Sequence, residues 1–399
     1  MRVPLWFSSF LRRLWPYHRL LLGALWVLMQ LLALYKFHGP HFANDSARYL
    51  LYAKGIAEQG YFEPGHNLRY VLYPLFMSLW LRLGTGWWGI VVGQMLVSAL
   101  ATTAIYRGTR RLAQGHRLTA AGATLLFIAW PDIQQFNVFL LTESLFISLV
   151  ALSFGAFTRV RSGLRRDWAW LLVLLVCTAL ARPNGFLVAL AAGIAGLDAL
   201  RRQPNRRAWR AALLLLVLLS PLLWMALNHQ LATYYLMDTY QRGELIFRYQ
   251  LWAVHQAQPL NMPPPGTGPA ARVLYFAVHN PAYLGRLMLG KLFVFVSYLK
   301  PHYSLAHRAV GVAVLWPSYV LAALATRRRG IWRPARVFLA SVLLLQTAII
   351  MLTVDDWDVR FLAPVLPLVF VLATLELSAR LGPWHWPRMG RRSGASAPA

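Results

Sequence analysis

The sequence predicts an all-α polytopic membrane protein, and three observations carry that expectation. The 399 residues are 58% hydrophobic and 13% charged, with a mean hydropathy of +0.47, whereas soluble chains are about 45–50% apolar and about 25% charged. Ten apolar runs approach the roughly 20 residues that a helix rising 1.5 Å per residue needs to cross a ~30 Å hydrocarbon core. Most of the 40 Lys and Arg fall in the gaps on one side of those runs, the positive-inside pattern. The same placement explains the net charge of +27 without a nucleic-acid partner.

Taken in order, Arg2, Arg12, Arg13 and Arg19 precede the apolar run Leu20 to Tyr35, which no small-residue cleavage pattern follows. The segment therefore reads as an uncleaved signal anchor with its N-terminus in the cytoplasm. The ten crossings are expected over 18–37, 87–106, 118–132, 138–158, 168–182, 185–200, 209–228, 308–326, 335–354 and 361–380. Basic clusters at Arg107–Arg117, Arg159–Arg166, Arg201–Arg210, Arg327–Arg336 and Arg380–Arg392 then share the N-terminal side with the acids Asp167, Asp198 and Glu376. An even number of crossings returns the basic C-terminal tail to that side. Two further apolar stretches, Tyr70 to Leu83 and Tyr283 to Leu299, would export basic clusters if they crossed, so they are expected as juxtamembrane helices on the outer surface. The chain is thus one transmembrane domain over 1–399 with two large outer segments, 38–86 and 229–307. Inside the second, residues 259–269 (PLNMPPPGTGP) hold no helix or strand and form either a connector or a mobile lid.

Chemistry on the outer side must use one of ten carboxylates: Asp45, Glu58, Glu63, Asp132, Glu143, Asp238, Glu244, Asp355, Asp356 and Asp358. Asp45 stands where an amphipathic helix begins, and helical spacing places it on one face with Arg48, Tyr49 and Tyr52. It serves as an N-cap, as a hydroxyl-activating base, or as both. Glu143 lies on an otherwise apolar span, where an acid costs several kcal/mol unless it meets a cation or water, and Arg182 is its expected partner. The pair is either structural or a place where Arg182 binds a phosphate and Glu143 positions it. Asp355, Asp356 and Asp358 precede the last crossing and are either helix-dipole partners or a candidate divalent-cation site. Arg360 at the mouth of that crossing suits a bidentate phosphate contact, and Lys300 with His302 and Tyr303 forms a second cationic and aromatic group at the same level. Cys177 is alone and reads as a small buried hydrophobe. No Walker loop, Rossmann glycine fingerprint, HExxH or Gly-x-Ser-x-Gly elbow is present. The energy for any reaction must then come from an activated substrate or an ion gradient.

In order along the chain, the Asp45-x-x-Arg48-Tyr49-Leu50 opening, Tyr73-Pro74-Leu75-Phe76, Thr142-Glu143-Ser144, Ala181-Arg182-Pro183-Asn184-Gly185, Asn280-Pro281-Ala282-Tyr283 and Asp358-Val359-Arg360-Phe361 resemble the polytopic GT-C glycosyltransferases. Within that group the chain is most similar to the protein O-mannosyltransferase and lipid A aminoarabinose transferase branch. The resemblance implies a GT-C-like bundle, a polyprenyl-phosphate-sugar donor, inversion at the anomeric carbon and a site at the outer membrane surface. It implies that Asp45 deprotonates or orients the acceptor hydroxyl, and Glu143 stands beside it as the second catalytic candidate. Arg182, Arg360, Lys300 and His302 become candidates for the donor phosphate, and Arg48, Tyr49 and Tyr73 for the acceptor or sugar. A first loop without an adjacent Asp-Glu pair, and a chain with no soluble C-terminal domain, favour a lipid or glycan acceptor over a protein.

The expected function is therefore sugar transfer on the periplasmic face of a bacterial inner membrane by a multi-pass protein with both termini cytoplasmic. The use of Arg over Lys, which stands only at 36, 54, 291 and 300, accords with a GC-rich bacterial gene. The alternative is a transporter or flippase of a lipid-linked glycan. It calls for paired broken helices and midplane charges, which the sequence lacks. A catalytically inactive scaffold is the third reading.

Overall fold

The structure is a computed structural model and describes residues 15–382, apart from 233, 257 and 357. The basic termini, with Arg2, Arg12, Arg13, Arg388, Arg391 and Arg392, lie outside the described residues, as does Trp357 of the Asp-Trp-Asp run. Among the described residues the architecture is all-α, and β-pairing is limited to isolated bridges such as His41 with Phe139.

Ten helices stand at the ten expected crossings: α1 (His18–Phe37), then α4 (Gly86–Leu112), α5 (Arg117–Ala129), α7 (Thr142–Arg159), α8 (Arg165–Ala181), α9 (Phe186–Arg201), α10 (Arg207–Leu231), α14 (Leu305–Arg327), α15 (Arg333–Leu352) and α16 (Leu366–Arg380). Six of them, α1, α4, α7, α10, α14 and α15, are long and apolar enough to cross a membrane by themselves. Proline shortens others. Helix α5 stops before Trp130-Pro131, and Pro364 and Pro367 delay the start of α16, so Val359–Val365 forms successive turns instead.

Apart from one short helix, the remaining helices lie in segments 38–86 and 229–307. The first holds α2 (Ser46–Gln59) and α3 (Leu72–Arg82), and a short α6 (Pro131–Gln134) caps α5. The second holds α11 (Leu236–Gln241), α12 (Pro269–His279) and α13 (Pro281–Ser297). Residues 259–268 are non-helical, and Asn261 and Asn280 exchange two hydrogen bonds of 3.0 and 2.9 Å that tether the segment to the α12–α13 junction.

Helices α7 and α16 are buried along nearly their whole length, whereas α10 has no buried residue and presents its leucines outward. Small residues bring α4 and α7 together. A Cβ on Gly108 would stand 2.6 Å from Phe154, and one on Gly155 would stand 2.8 Å from Ala104. A polar network then fixes the outer start of α7. Asn137 donates to Gln30 at 2.9 Å and to Ser98 at 3.1 Å and accepts from Ser144 at 2.7 Å, while Gln94 donates to the carbonyls of Asn137 and Phe139. Each of these buried polar groups would be costly alone in an apolar bundle, and together they are satisfied.

Candidate functional site

Asp45 reaches its place because the chain turns sharply at the end of α1. His38 takes a left-handed conformation (φ 57°), and His41 then bonds to the strand-like stretch before α7, its N–H to Val138 O at 2.8 Å and its carbonyl to the N–H of Leu140 at 2.9 Å. Ser46 seals the junction by donating to Leu140 O at 2.9 Å. Asp45 occupies the N-cap position of α2, yet its side chain makes no capping bond. It accepts from Arg360 Nη2 at 3.1 Å and lies 3.6 Å from Arg48 Nη2.

Glu143, in the first turn of α7, is fully buried and accepts from Arg182 Nη1 at 2.7 Å and from Arg360 Nε at 2.5 Å through the same oxygen. Arg182 is held by the turn that follows α8. A Cβ on Gly185 would stand 1.9 Å from Thr178 O, so only glycine closes that turn. Asn184 donates to Gln346 Oε1 at 3.0 Å, and Gln346 Nε2 donates to Phe361 O at 3.0 Å, locking the turn to α15 and to the segment that carries Arg360. The guanidinium of Arg182 sits over the rings of Phe146 and Phe361, 5.7 and 5.3 Å from their centroids. Its buried Nε has no hydrogen-bond partner.

Arg360 is the hub. It contacts Glu143, Asp45 and, at 3.4 Å, Asp356 Oδ2. Burial alone would lower its pKa, but Glu143, Asp356 and Asp45 outweigh that and hold it above the ordinary arginine value. Lys300 does not join this group. It is buried, and it donates to Asp355 Oδ2 and, at 2.7 Å, to Asp356 O. His302 faces Asp358 at 3.8 Å. Burial raises the pKa of Asp358, with Asp356 adding to the effect, and burial lowers that of His302.

The three acids of the candidate divalent site are therefore turned to three different partners: Asp355 to Lys300, Asp356 to Arg360, Asp358 to the His302 imidazole. Among the described residues no three His, Cys, Asp or Glu side chains are arranged to hold a metal ion. The donor set does not fit one. Nor do the acids cap α16, which starts beyond Val365.

Tyr49 and Tyr70 form the layer beside Asp45, their rings 5.6 Å apart with Arg48 over both. Burial holds both phenols above the ordinary tyrosine value, so they stay neutral donors. Tyr73 lies behind this layer. It is fully buried, donates to Gln94 Oε1 at 2.8 Å and has no wall on the cavity.

The cavity itself measures ≈ 240 Å³ and is walled by Tyr70, Arg182, Asn184, Tyr234, Phe247 and Asp356, among others. It shares Tyr234, Phe247, Thr353 and Val354 with a larger neighbour of ≈ 640 Å³ whose polar wall includes Glu244, Arg242 and Arg248. Sequence reasoning missed Tyr70, although it lies one helical turn before Tyr73. It also missed Tyr234 and Phe247, which carry no signal beyond being aromatic residues in an outer segment.

Compared with known proteins, the chain matches no family model. No curated protein matches it either. Among solved structures it is similar to ArnT from Cupriavidus metallidurans in the apo state, with a TM-score of 0.50 and 14% identity over 92% of this chain and 60% of that chain. The chain thus spans about three-fifths of the length of that structure. The likeness is one of fold: the all-α membrane bundle expected from the sequence is arranged like that of the solved structure.

Proposed function

We propose that this protein is a GT-C-type membrane glycosyltransferase that moves a sugar from a polyprenyl phosphate to the hydroxyl of a lipid or glycan acceptor at the outer face of a bacterial inner membrane. The observation that carries the reading is the convergence on Arg360 of an acid from the first outer segment, Asp45, and one from α7, Glu143, beside the cavity-lining Arg182.

Four cations, Arg48, Arg69, Arg182 and Arg360, stand at this site with four acids, Asp45, Glu143, Asp356 and Asp358, while Lys300 and Asp355 neutralise each other. The buried Nε of Arg182 has no partner and is a donor open to an acceptor. A lipid phosphate is such an acceptor.

In the proposed step Asp45 takes the proton of the acceptor hydroxyl. That oxygen bonds to the anomeric carbon from the face opposite the leaving group, which inverts it. The carbon–oxygen bond to phosphate breaks, and the released phosphate monoester gains one negative charge, stabilised by Arg182 and Arg360. Glu143 holds the two guanidiniums together through one carboxylate oxygen and is a positioning residue. Tyr70, on the cavity wall, offers a neutral hydroxyl and ring surface to a sugar, with Tyr49 packed behind it.

The test is turnover of a panel of polyprenyl-phosphate sugars by the wild type and by Asp45→Asn. Transfer by the wild type with a loss of about 10²–10⁴ in the variant supports the reading. Full turnover by the variant removes Asp45 as the base, and an inert wild type that still moves a lipid-linked glycan across vesicles makes the protein a transporter.

A further inference from the structure

A second cavity, remote from Arg360, opens at the basic end of the bundle. It measures ≈ 380 Å³ and runs between α1 and α4, with Thr124 of α5 at its base. Its rim carries Arg19, Arg107 and Arg110, and its depth is walled by Leu22, Trp26 and Ala99. Two bonds hold the seam together, His18 Nε2 with Tyr106 Oη at 2.8 Å and Trp26 Nε1 with Ser98 Oγ at 3.4 Å.

The three rim arginines line one groove with no acid beside them. The acids of this end are all engaged elsewhere: Asp167 with Arg159, Asp198 with Arg202 and Arg333, and Glu376 with Arg328 and Arg380. Among the described residues none of Arg19, Arg107 and Arg110 forms an ion pair; Arg19 has only the Tyr106 ring, 5.3 Å away. Residues 1–14 and 383–399 contain no Asp or Glu.

From Arg110 to Ala99 is eleven residues of helix, about 16 Å, or half of a ~30 Å core. The groove therefore starts at charge level and ends near the bilayer centre with apolar walls. Those are the dimensions of one leaflet. A free phosphate has no use for such depth, and a neutral headgroup has none for three arginines.

We infer that this groove binds an anionic phospholipid of the inner leaflet, its phosphate held by Arg19, Arg107 and Arg110 and one acyl chain lying along Leu22, Trp26 and Ala99. The site is independent of the transfer reaction.

The test titrates the delipidated full-length protein in mild detergent with phosphatidylglycerol, or with phosphatidylcholine of the same chains, read by native mass spectrometry. Phosphatidylglycerol is expected to bind, and the triple change Arg19→Gln, Arg107→Gln, Arg110→Gln to weaken it on the order of 100-fold. The same change at Arg161, Arg165 and Arg166 should leave it unaltered. A Cβ at Gly23 meets nothing within 4 Å, so Gly23→Trp fills the groove with the arginines intact and should also displace the lipid. Equal binding of both lipids, undiminished binding by the triple variant and by Gly23→Trp, or displacement by inorganic phosphate alone would overturn the assignment.

Discussion

The two ends of the bundle handle charge differently. At the basic end one carboxylate is shared by two guanidiniums, Glu376 by Arg328 and Arg380, and Asp198 by Arg202 and Arg333. At the acidic end one guanidinium, Arg360, is shared by three carboxylates. Exposure differs too: the Asp198 partners are about half exposed, whereas Glu143 is 0% and Arg182 6% exposed. The Asp198 pairs do little for stability because water already solvates them. Pairs of the second kind are expensive to assemble and expensive to break. A half-buried, shared cation next to a cavity is therefore the arrangement that needs a functional explanation.

The largest effect should follow the loss of the hub. Arg360→Ala leaves Glu143 with one partner and Asp45 with only Arg48, so it should lower stability by about 3–5 kcal/mol and abolish transfer. Denaturant unfolding in detergent and product formation check both. Glu143→Gln should cost less stability, since the amide still accepts from Arg182, but it should weaken donor binding by loosening both guanidiniums. Second in size is Asp45→Asn. Its side chain is about one-third exposed, so the expected fall of about 10²–10⁴ in turnover comes with a stability change under about 1 kcal/mol. A large stability loss with unchanged turnover would make Asp45 structural and erase the contrast between the two ends.

Much of this contrast was legible in the chain. Runs of apolar residues and the arginine clusters locate the ten helices of the bundle, because membrane thickness and the positive-inside bias act on composition alone. Asp45 and Glu143 were visible as isolated acids, since an acid in such surroundings needs a reason. What stayed hidden depends on contacts between distant residues. Nothing local says that Arg360 meets Asp45, 315 positions away in sequence, or that Lys300 is neutralised by Asp355. Tyr73 shows the limit most clearly. Its place in the first outer segment made it a sugar contact by pattern, but its hydroxyl is drawn inward to Gln94, a polar residue inside an apolar run.

A cation at the acidic end that lacks a contacting carboxylate sharpens the comparison further. Lys291 of α13 is fully buried, donates to Thr353 O and lies 4.9 Å from the ring of Tyr240. Burial pulls its pKa down to about 7 against the opposing influence of Glu244. An unfolded lysine keeps its proton to about pH 10.4. Between those values the unfolded chain binds more protons than the folded one, so stability rises with pH from about 7 toward 10, at most about 1.4 kcal/mol per unit. Lys291→Met should flatten that rise in unfolding measured across the same range. A rise of equal slope in the variant would assign it to another group.

The smallest effect belongs to the basic end. Asp198→Asn removes the shared partner of Arg202 and Arg333, two contacts at 3.4 and 2.8 Å. All three side chains reach water, which replaces the lost interaction, and salt already screens it. The unfolding midpoint should therefore shift by no more than about 2 °C, and by less in high salt. Turnover should be unchanged, because no group at this end touches the outer cavity. If Asp198→Asn instead reduced transfer as Asp45→Asn does, charge sharing at the two ends would be coupled through the bundle. Arg360 would then no longer mark the acidic end as the place where chemistry happens.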